Sequence, residues 1–183
     1  MPDFELKTPD GDTAERQVCT ACGYVAYDNP KIVVGAVVAE AGRVLLCRRA
    51  IEPRAGFWTL PAGYLEHNET TGEGAQREAL EEAGATIALD GILAIYDISR
   101  IGQVQIIYRA ELATPGIGAG VESLEVGFFA WEDIPWDNIA FPTVKWALHA
   151  WRDAGPGPLG APSGNPAQDR RGTRRIDATE AVG

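Results

Sequence analysis

The feature that most constrains this chain is a 23-residue stretch that begins at Gly63 and reads GYLEHNETTGEGAQREALEEAGA. It follows the pattern G-x5-E-x7-R-E-U-x-E-E-x-G-U, in which U is an aliphatic residue. Seven fixed positions, each filled by chance roughly 5–7% of the time, give a probability on the order of 10⁻⁹ per starting point. Coincidence is therefore excluded, and this spacing must serve a fold or a function.

Local patterns predict where the stretch sits in the fold. Residues 71–83 are expected to form a helix, with Thr70 or Thr71 as its N-cap and Gly84 as its C-terminal stop. A second, amphipathic helix is predicted at 143–152. Strand-like runs occur at 31–39, 43–48, 91–98, 104–112 and 126–131. The order of strands, helix, strands, helix predicts an α/β fold (α+β mixed sheet) with a helix on each face.

Three glutamates of the first helix fall on one arc of its surface. At 100° per residue, Glu81 lies at about −60° and Glu82 at about +40° from Glu78. A glutamate-rich helix face is most often only solvated. Carboxylates crowded together are, however, the hard oxygen ligands that suit Mg²⁺ or Mn²⁺. The spacing favours the metal site.

The stretch resembles the Nudix box, the signature of hydrolases that act on a nucleoside diphosphate linked to another group. It departs from that signature only by having Ala79 and Ala85 at aliphatic positions. The resemblance implies an α/β/α Nudix sandwich and a Mg²⁺- or Mn²⁺-dependent pyrophosphohydrolase whose nucleophile is water. It also implies that Glu78 and Glu82 are the principal metal ligands, that the Ala62 carbonyl is a further ligand, and that Glu81 is a catalytic residue that contacts the metal or one of its ligands. Arg77 and Glu69 are implied to form an ion pair that holds the loop. Gly63 and Gly84 are implied to be structural positions of the box.

Similarity to the family extends from about residue 16 to residue 151. The stretches CTACGYVAYDNPKIVVG, LLCRRAIEPRAGFWTLPAGYLE and ESLEVGFFAWEDIPWDNIAF resemble a subgroup associated with FAD and ADP-ribose, related to NADH pyrophosphatases. The implied reaction releases AMP from ADP-ribose or FAD. The alternatives are NADH or nucleoside triphosphate hydrolysis, or a non-catalytic nucleotide sensor. In this subgroup a glutamate precedes the FF-A-W strand, so Glu125 is expected to be a late metal ligand or general base, against the alternative of an ordinary loop acid.

The subgroup also carries an N-terminal zinc ribbon with two CxxC pairs, whereas this chain has only Cys19 and Cys22. Two thiolates do not complete a tetrahedral zinc site. A lost first pair, a start assigned too late and a ligand from a dimer partner all remain open, and we favour a vestigial knuckle at residues 1–30. Nucleic-acid binding through this knuckle fits poorly with an acidic chain.

Substrate contacts are less constrained by the sequence. Trp58 and Tyr64 flank the box and are candidates for stacking on a base, although aromatic side chains beside a loop are as often core residues. Arg48, Arg49 and Arg54 are candidate phosphate contacts, although cationic side chains at strand ends are usually solvated. The glycine-rich residues 116–120 lack the context of a dinucleotide fingerprint and are expected to form a mobile loop near the site.

Composition sets the outer limits. The net charge of −10 comes from 16 basic and 26 acidic residues, and residues 1–151 hold 11 of the former and 22 of the latter. Neither a membrane span nor a signal peptide is recognisable, and three cysteines favour a reducing compartment, so a soluble cytoplasmic protein is expected. The Nudix domain is assigned to 31–152, and the Gly- and Pro-rich 153–183 is predicted to be disordered. A homodimer is expected by analogy alone.

Overall fold

The structure, a computed structural model, describes residues 3–173. The chain divides into two compact units between Pro30 and Lys31. The N-terminal unit is a small antiparallel sheet with the strand order β1-β2-β3. Its strands are β1 (Phe4–Lys7), β2 (Arg16–Cys19) and β3 (Val25–Ala26). Val18 and Cys19 are its buried side chains.

The second unit is built on a mixed sheet with the central order β10-β5-β4-β9-β8, to which β6 adds at β5 and β7 at β4. Strands β4 and β9 are parallel, and the other pairs are antiparallel. The bounds are β4 (Lys31–Glu40), β5 (Arg43–Arg49), β6 (Trp58–Thr59), β7 (Ala62–Tyr64), α1 (Thr71–Ala83), β8 (Ile87–Ile98), β9 (Gln103–Leu112), β10 (Ser123–Phe129) and α2 (Pro142–Ala154).

One helix covers each face of this sheet, because the side chains of each strand alternate between the two faces. On one face α1 buries a row of alanines against small and aliphatic residues of β4, β5 and β9. On the other face α2 packs its Val144, Ala147 and Leu148 on larger side chains, including Tyr96, whose ring meets Trp146 edge-on at 5.4 Å. This α/β/α arrangement confirms the fold class expected from the order of elements.

The segment that follows α2 corrects one expectation. Disorder was predicted from residue 153, but residues 155–173, here called the C-terminal strap, lie along the edge of β8. Ser163 donates to the carbonyl of Leu93 at 2.9 Å and accepts from the N–H of Ile95 at 2.9 Å. The strap is ordered by hydrogen bonds to an open sheet edge, which a count of apolar residues does not detect. The remaining predicted tail, 174–183, lies outside the described residues.

The two long helices are α1 and α2, with 13 residues each. Nowhere in residues 3–173 does a helix have the length and apolar character needed to cross a membrane.

Candidate active site

Helix α1 is held in register at both ends. At its start the Thr70 hydroxyl accepts from the N–H of Glu73 at 3.2 Å, and the Glu73 carboxylate accepts from the N–H of Thr70 at 2.8 Å. This reciprocal capping box satisfies two backbone donors that the helix leaves open. At its end Gly84 takes the left-handed conformation, with φ 58°. The two caps therefore fix which side chains α1 turns towards the sheet.

That orientation buries two carboxylates. Ala75, Ala79 and Ala83 are fully buried on the sheet side of α1. Glu78 and Glu82 flank this stripe and are only 8% and 6% exposed, respectively. Small alanine side chains let the helix approach the sheet closely, and the neighbouring glutamates are consequently drawn below the protein surface.

Strand β7 faces these carboxylates with its backbone. The N–H of Ala62 donates to Glu82 Oε2 at 3.0 Å. A Cβ placed on Gly63 would lie 2.4 Å from Glu78 Oε1, so only glycine leaves room for that carboxylate. The Pro61 carbonyl accepts from the N–H of Ala36 on β4, and alternation along the strand turns the N–H and C=O of Ala62 away from β4. The Ala62 carbonyl is thereby directed to the side of β7 that faces α1.

Arg77 links the loop before α1 to three acidic side chains. Its Nε and Nη2 donate to the two oxygens of Glu69 at 3.0 and 2.8 Å, a bidentate pair. Its Nη1 donates to Glu78 at 2.7 Å and to Glu81 at 3.0 Å, and its Nη2 also donates to the Tyr64 carbonyl at 3.0 Å. The hydrogen bonds from Arg77 lower the pKa of Glu69 to about 2. Arg77 thus holds the loop and neutralises part of the acid cluster.

The buried carboxylates titrate abnormally. Burial raises the pKa of Glu82 to about 7, although the Ala62 N–H opposes that rise. Burial also raises the pKa of Glu78, against the opposing effect of Arg77. The charges of Glu122 and of the other members of the cluster add to both shifts. Acids whose negative charge is poorly compensated inside a cleft are typical of functional sites.

The cluster opens into a cavity of about 970 Å³. Its wall has a group of charged side chains that includes Arg49, Glu78, Glu81, Glu82 and Glu122. The wall also has apolar and uncharged polar side chains, among them Val33, Ile98, Ile107, Phe141, Val144 and Trp146, together with Tyr64, Gln103 and Gln105. A volume of this size, with both charged and apolar side chains in its wall, matches sites that take small molecules with both a charged and an aromatic portion.

The oxygen ligands at the acid cluster are of the chemical type that a hard divalent cation prefers. Carboxylates and a backbone carbonyl are oxygen ligands, and Gly63 leaves a cradle for Glu78 that any Cβ would fill. Within residues 3–173 no three acidic, histidine or cysteine side chains converge closely enough to enclose an ion on their own.

Glu125 is placed elsewhere. Its side chain is 58% exposed and its carboxylate lies 3.6 Å from Arg48, on β10 and outside the cavity wall. A shift in strand register between Ser123 and Glu125 changes which residues of this segment face the site. The acid that reaches the cavity is Glu122, three residues earlier, which the sequence analysis missed.

The glycine-rich loop before Glu122 is tied to α1. The N–H of Gly118 donates to the Ala83 carbonyl at 2.8 Å, and the N–H of Gly120 donates to the Glu82 carbonyl at 3.1 Å. A Cβ on Gly120 would overlap the Glu81 carbonyl oxygen, which explains a glycine here. The loop expected to be mobile is therefore anchored at the C-terminal end of the acid-bearing helix.

The candidate substrate contacts separate into two groups. Tyr64 lines the cavity, as does Arg49, one of the three arginines that the sequence offers as phosphate contacts. Trp58 instead packs in the α2-side core, edge-on to Phe129 at 4.8 Å. Arg54 is not in the cavity wall, and its guanidinium lies over the ring of Phe57 at 4.4 Å.

The two cysteines of the N-terminal unit form a tight turn in which the N–H of Gly23 donates to the Cys19 carbonyl at 2.9 Å. Backbone donors at Cys22 and Ala21 lower the pKa of the Cys19 thiol. In the part of the chain that the structure describes, no third histidine, cysteine or acidic side chain joins the pair in a metal-binding group. A knuckle is present, and residues that would complete a zinc site are not among those described.

Comparison with protein families gives two adjacent matches that together span residues 2–147. The NUDIX domain family matches residues 29–147. The family described as Nudix N-terminal, a zinc ribbon, matches residues 2–28.

Individual relatives agree with this. A MutT-like protein from Streptomyces ambofaciens is 39% identical over 79 residues, 43% of this chain and 49% of the relative, so the chain spans about half of that protein. An ADP-ribose pyrophosphatase from Methanocaldococcus jannaschii is 29% identical over 126 residues, 67% of this chain and 73% of the relative. The crystal structure of a NUDIX hydrolase from Nitrosomonas europaea superposes with a TM-score of 0.81 at 40% identity, covering 88% of this chain and 93% of that one. The chain therefore belongs to the Nudix hydrolase family.

Proposed function

We propose that this chain hydrolyses the pyrophosphate bond of a nucleoside diphosphate derivative, ADP-ribose or FAD, and releases AMP. The observation that carries the proposal is the pair of buried carboxylates, Glu78 and Glu82, in the wall of a cavity large enough for a nucleotide with a second group. The relative from M. jannaschii, named as an ADP-ribose pyrophosphatase, supports the same substrate class.

Glu78, Glu82 and the Ala62 carbonyl are the groups that would hold Mg²⁺ or Mn²⁺, with Glu81 beside them. When bound, such ions neutralise the charge of the pyrophosphate and make water a stronger nucleophile. Arg77 keeps the carboxylates of Glu78 and Glu81 pointed at one region through its Nη1 donors. The chain thus supplies a pre-arranged set of oxygen ligands, and its rigidity comes from the caps of α1 and from β7.

The residue that takes a proton from the attacking water is proposed to be Glu122. It lies in the cavity wall, and its charge acts on both Glu78 and Glu82. Glu125 is the competing assignment from the sequence, and its pairing with Arg48 outside the cavity argues against it. A proton acceptor has to lie within hydrogen-bond reach of the water it activates.

The apolar side chains of the cavity wall are the proposed contacts of the base or flavin, with Arg49 near the phosphates. Arg49 lies close enough to Glu82 for its charge to lower that group's pKa. Its guanidinium is held by the Pro53 carbonyl at 2.9 Å and lies over the ring of Phe141 at 5.2 Å. A guanidinium fixed in this way is suited to a phosphate oxygen close to the acid cluster.

The test is a substrate panel of ADP-ribose, FAD, NADH and ATP with Mg²⁺ or Mn²⁺, in which released AMP, phosphate and pyrophosphate are measured. Wild-type protein is expected to release AMP from ADP-ribose or FAD, and EDTA should abolish turnover. Glu82→Gln and Glu122→Gln should each lose at least about a hundredfold in kcat. Glu132→Gln, an exposed acid outside the cavity, is the matched control.

Full turnover by Glu82→Gln would overturn the assignment of Glu82 as a metal ligand. A loss of turnover in Glu125→Gln but not in Glu122→Gln would identify Glu125 as the proton acceptor. Faster turnover of NADH than of the other substrates would favour the reaction of the NADH pyrophosphatases. Tight nucleotide binding without turnover of any substrate, in the presence of the ions, would indicate a sensor.

A further inference from the structure

Three uncharged polar side chains form a hydrogen-bonded row in the wall of the cavity. Gln105 Nε2 donates to Gln103 Oε1 at 3.3 Å, and Gln103 Nε2 donates to the Tyr64 hydroxyl at 3.1 Å. All three residues line the cavity. None of them has a part in the acid cluster through its side chain, so the proposed hydrolysis leaves the row unexplained.

The row has hydrogen-bonding capacity left over at both ends. Tyr64 accepts from Gln103, and its own hydroxyl proton remains available to a further acceptor. Gln105 uses its amide nitrogen, and within residues 3–173 no hydrogen bond engages its Oε1. One donor and one acceptor are therefore presented to whatever occupies the cavity.

Strand register sets where the row lies relative to the acid cluster. On adjacent strands Tyr64 pairs with Val33, and Val33 pairs with Gln105, so the three side chains share one face of the sheet. Ala62, which contacts Glu82, lies two residues before Tyr64 on β7. A strand rises by about 3.3 Å per residue, so Tyr64 lies roughly 7 Å along β7 from Ala62. Gln105, which is level with Tyr64 across the sheet, is displaced from Ala62 by the same amount along the strand direction.

Apolar side chains near the row suit a flat aromatic group. Val33 lies between Tyr64 and Gln105 on the same face of the sheet, and Ile98, Ile107 and Trp146 also line the cavity. A bound base shields the row from water, and a polar group that is left unmatched in that contact costs free energy, so a donor–acceptor pattern discriminates between ligands of the same shape. The row is thus placed to read the edge of a base whose phosphates reach the acid cluster.

We propose that Tyr64, Gln103 and Gln105 form a base-reading row that selects adenine over hypoxanthine in the substrate. The proposal rests on the proposed function for the identity of the reaction. Adenine presents an amino group that donates and a ring nitrogen that accepts, which complements the free acceptor of Gln105 and the free donor of Tyr64. Hypoxanthine presents a carbonyl that accepts and a ring N–H that donates, the reverse pattern.

The experiment compares ADP-ribose with its hypoxanthine analogue, inosine diphosphate ribose, in wild-type protein and variants. Wild type is expected to favour ADP-ribose in kcat/KM by roughly tenfold or more, the effect of about two neutral hydrogen bonds. Gln105→Met and Tyr64→Phe should each reduce this preference several-fold, and the double variant should bring it to within about twofold. Gln17→Met, an exposed glutamine on a strand of the N-terminal unit, should keep the wild-type preference.

Equal kcat/KM for the two substrates in wild type, or an unchanged preference in the double variant, overturns the proposal while the hydrolytic function stands. If Gln105→Met does not fold, Tyr64→Phe decides alone, because the Tyr64 side chain is exposed and its ring is retained. If wild type cleaves neither substrate, the proposed function fails separately. Calorimetric binding of AMP and IMP then tests the row, with tighter AMP binding expected and equal binding overturning it.

Discussion

The Glu82 carboxylate accepts a hydrogen bond from the backbone N–H of Ala62 at 3.0 Å, which joins the last turn of α1 to the start of β7. One backbone donor does not compensate the carboxylate of a residue that is only 6% exposed and lies near Glu78 and Glu122. In the absence of cations the negative charge of Glu82 therefore destabilises the folded protein. This destabilisation lies at the position where ions are expected to bind.

The metal-free protein should consequently lose stability as pH rises from about 4.5 to 7. The pKa of Glu82 is raised to about 7 from its ordinary 4.5, so across this range the unfolded chain releases a proton that the folded chain retains. The expected loss is roughly 2–4 kcal/mol, at 1.36 kcal/mol per unit of pKa. Urea unfolding in EDTA at several pH values measures it.

Glu82→Gln should flatten that pH dependence, because the amide has no proton to lose, whereas Glu132→Gln should leave it unchanged. A wild-type stability that is constant between pH 5 and 7 in EDTA would mean that Glu82 is not held in an unfavourable environment.

Replacing Arg77 by lysine should weaken the loop before α1. A lysine has the charge but cannot make the bidentate pair with Glu69 and at the same time reach Glu78 and the Tyr64 carbonyl. We expect a loss of about 1–3 kcal/mol in the free energy of unfolding at pH 7, from hydrogen bonds between charged groups. Chemical denaturation measures this loss, and stability equal to wild type would show that the arginine geometry is not needed.

The ion pair of Arg77 and Glu69 should also affect how the stability of the protein declines at acid pH. The pKa of Glu69 is lowered to about 2 chiefly by its hydrogen bonds from Arg77, so its stabilisation is present above about pH 4.5 and declines as pH falls towards 2. In Glu69→Gln the decline over this range should be shallower than in wild type. A parallel decline in both proteins, followed by thermal unfolding from pH 5 to 2.5, would assign the acid sensitivity to other carboxylates.

Helix α1 could be predicted from the sequence because its determinants are local. The capping residues Thr70 and Glu73 and the terminating Gly84 lie within one turn of the ends they specify. The spacing of the glutamates follows from the helical repeat alone. The carboxylate face was accordingly predictable, whereas the close approach of β7, which buries that face, depends on residues distant in the fold.

Other parts of the site depended on tertiary geometry that the sequence does not display. A register shift beside Ser123 brings Glu122 to the cavity and leaves Glu125 outside it, and bulges of this kind have no reliable local signal. Trp58 is at the edge of the box in sequence but packs on Phe129 in the core. In the sequence Gln105 is an ordinary strand residue. Only the strand order, which pairs it with Val33, shows that it lies near Tyr64.

Gly63→Ala should impair ion binding more than folding. The added Cβ would lie 2.4 Å from Glu78 Oε1, and its three nearest atoms all belong to the Glu78 carboxylate, so that carboxylate is displaced rather than the backbone. We expect Mn²⁺ affinity, measured by calorimetry, to fall at least tenfold while the unfolding midpoint changes little. Gly160→Ala is the control, because nothing lies within 4 Å of its added Cβ. Unchanged Mn²⁺ affinity in Gly63→Ala would remove Glu78 from the ligand set.

Arg109 on β9 should be the anchor of the C-terminal strap. Arg109 is 9% exposed, and its guanidinium is paired with Asp90 and donates to the carbonyls of Gly155 at 2.8 Å and Gly157 at 2.7 Å, just after α2 ends. Further along, the strap reaches the cavity wall at Gly172. A fault at the anchor should therefore be felt both in stability and at the substrate site.

In Arg109→Met the two carbonyls lose their donor, and we expect a loss of about 2–4 kcal/mol in the free energy of unfolding. Hydrogen exchange at Ile95, whose N–H donates to Ser163, should accelerate as the strap detaches, and KM should rise more than kcat falls. Arg152→Met serves as the control, because Arg152 is also an arginine and is near the end of α2, but its guanidinium lies over the ring of Trp131. Protection at Ile95 equal to wild type in Arg109→Met would show that the edge of β8 holds the strap without this anchor.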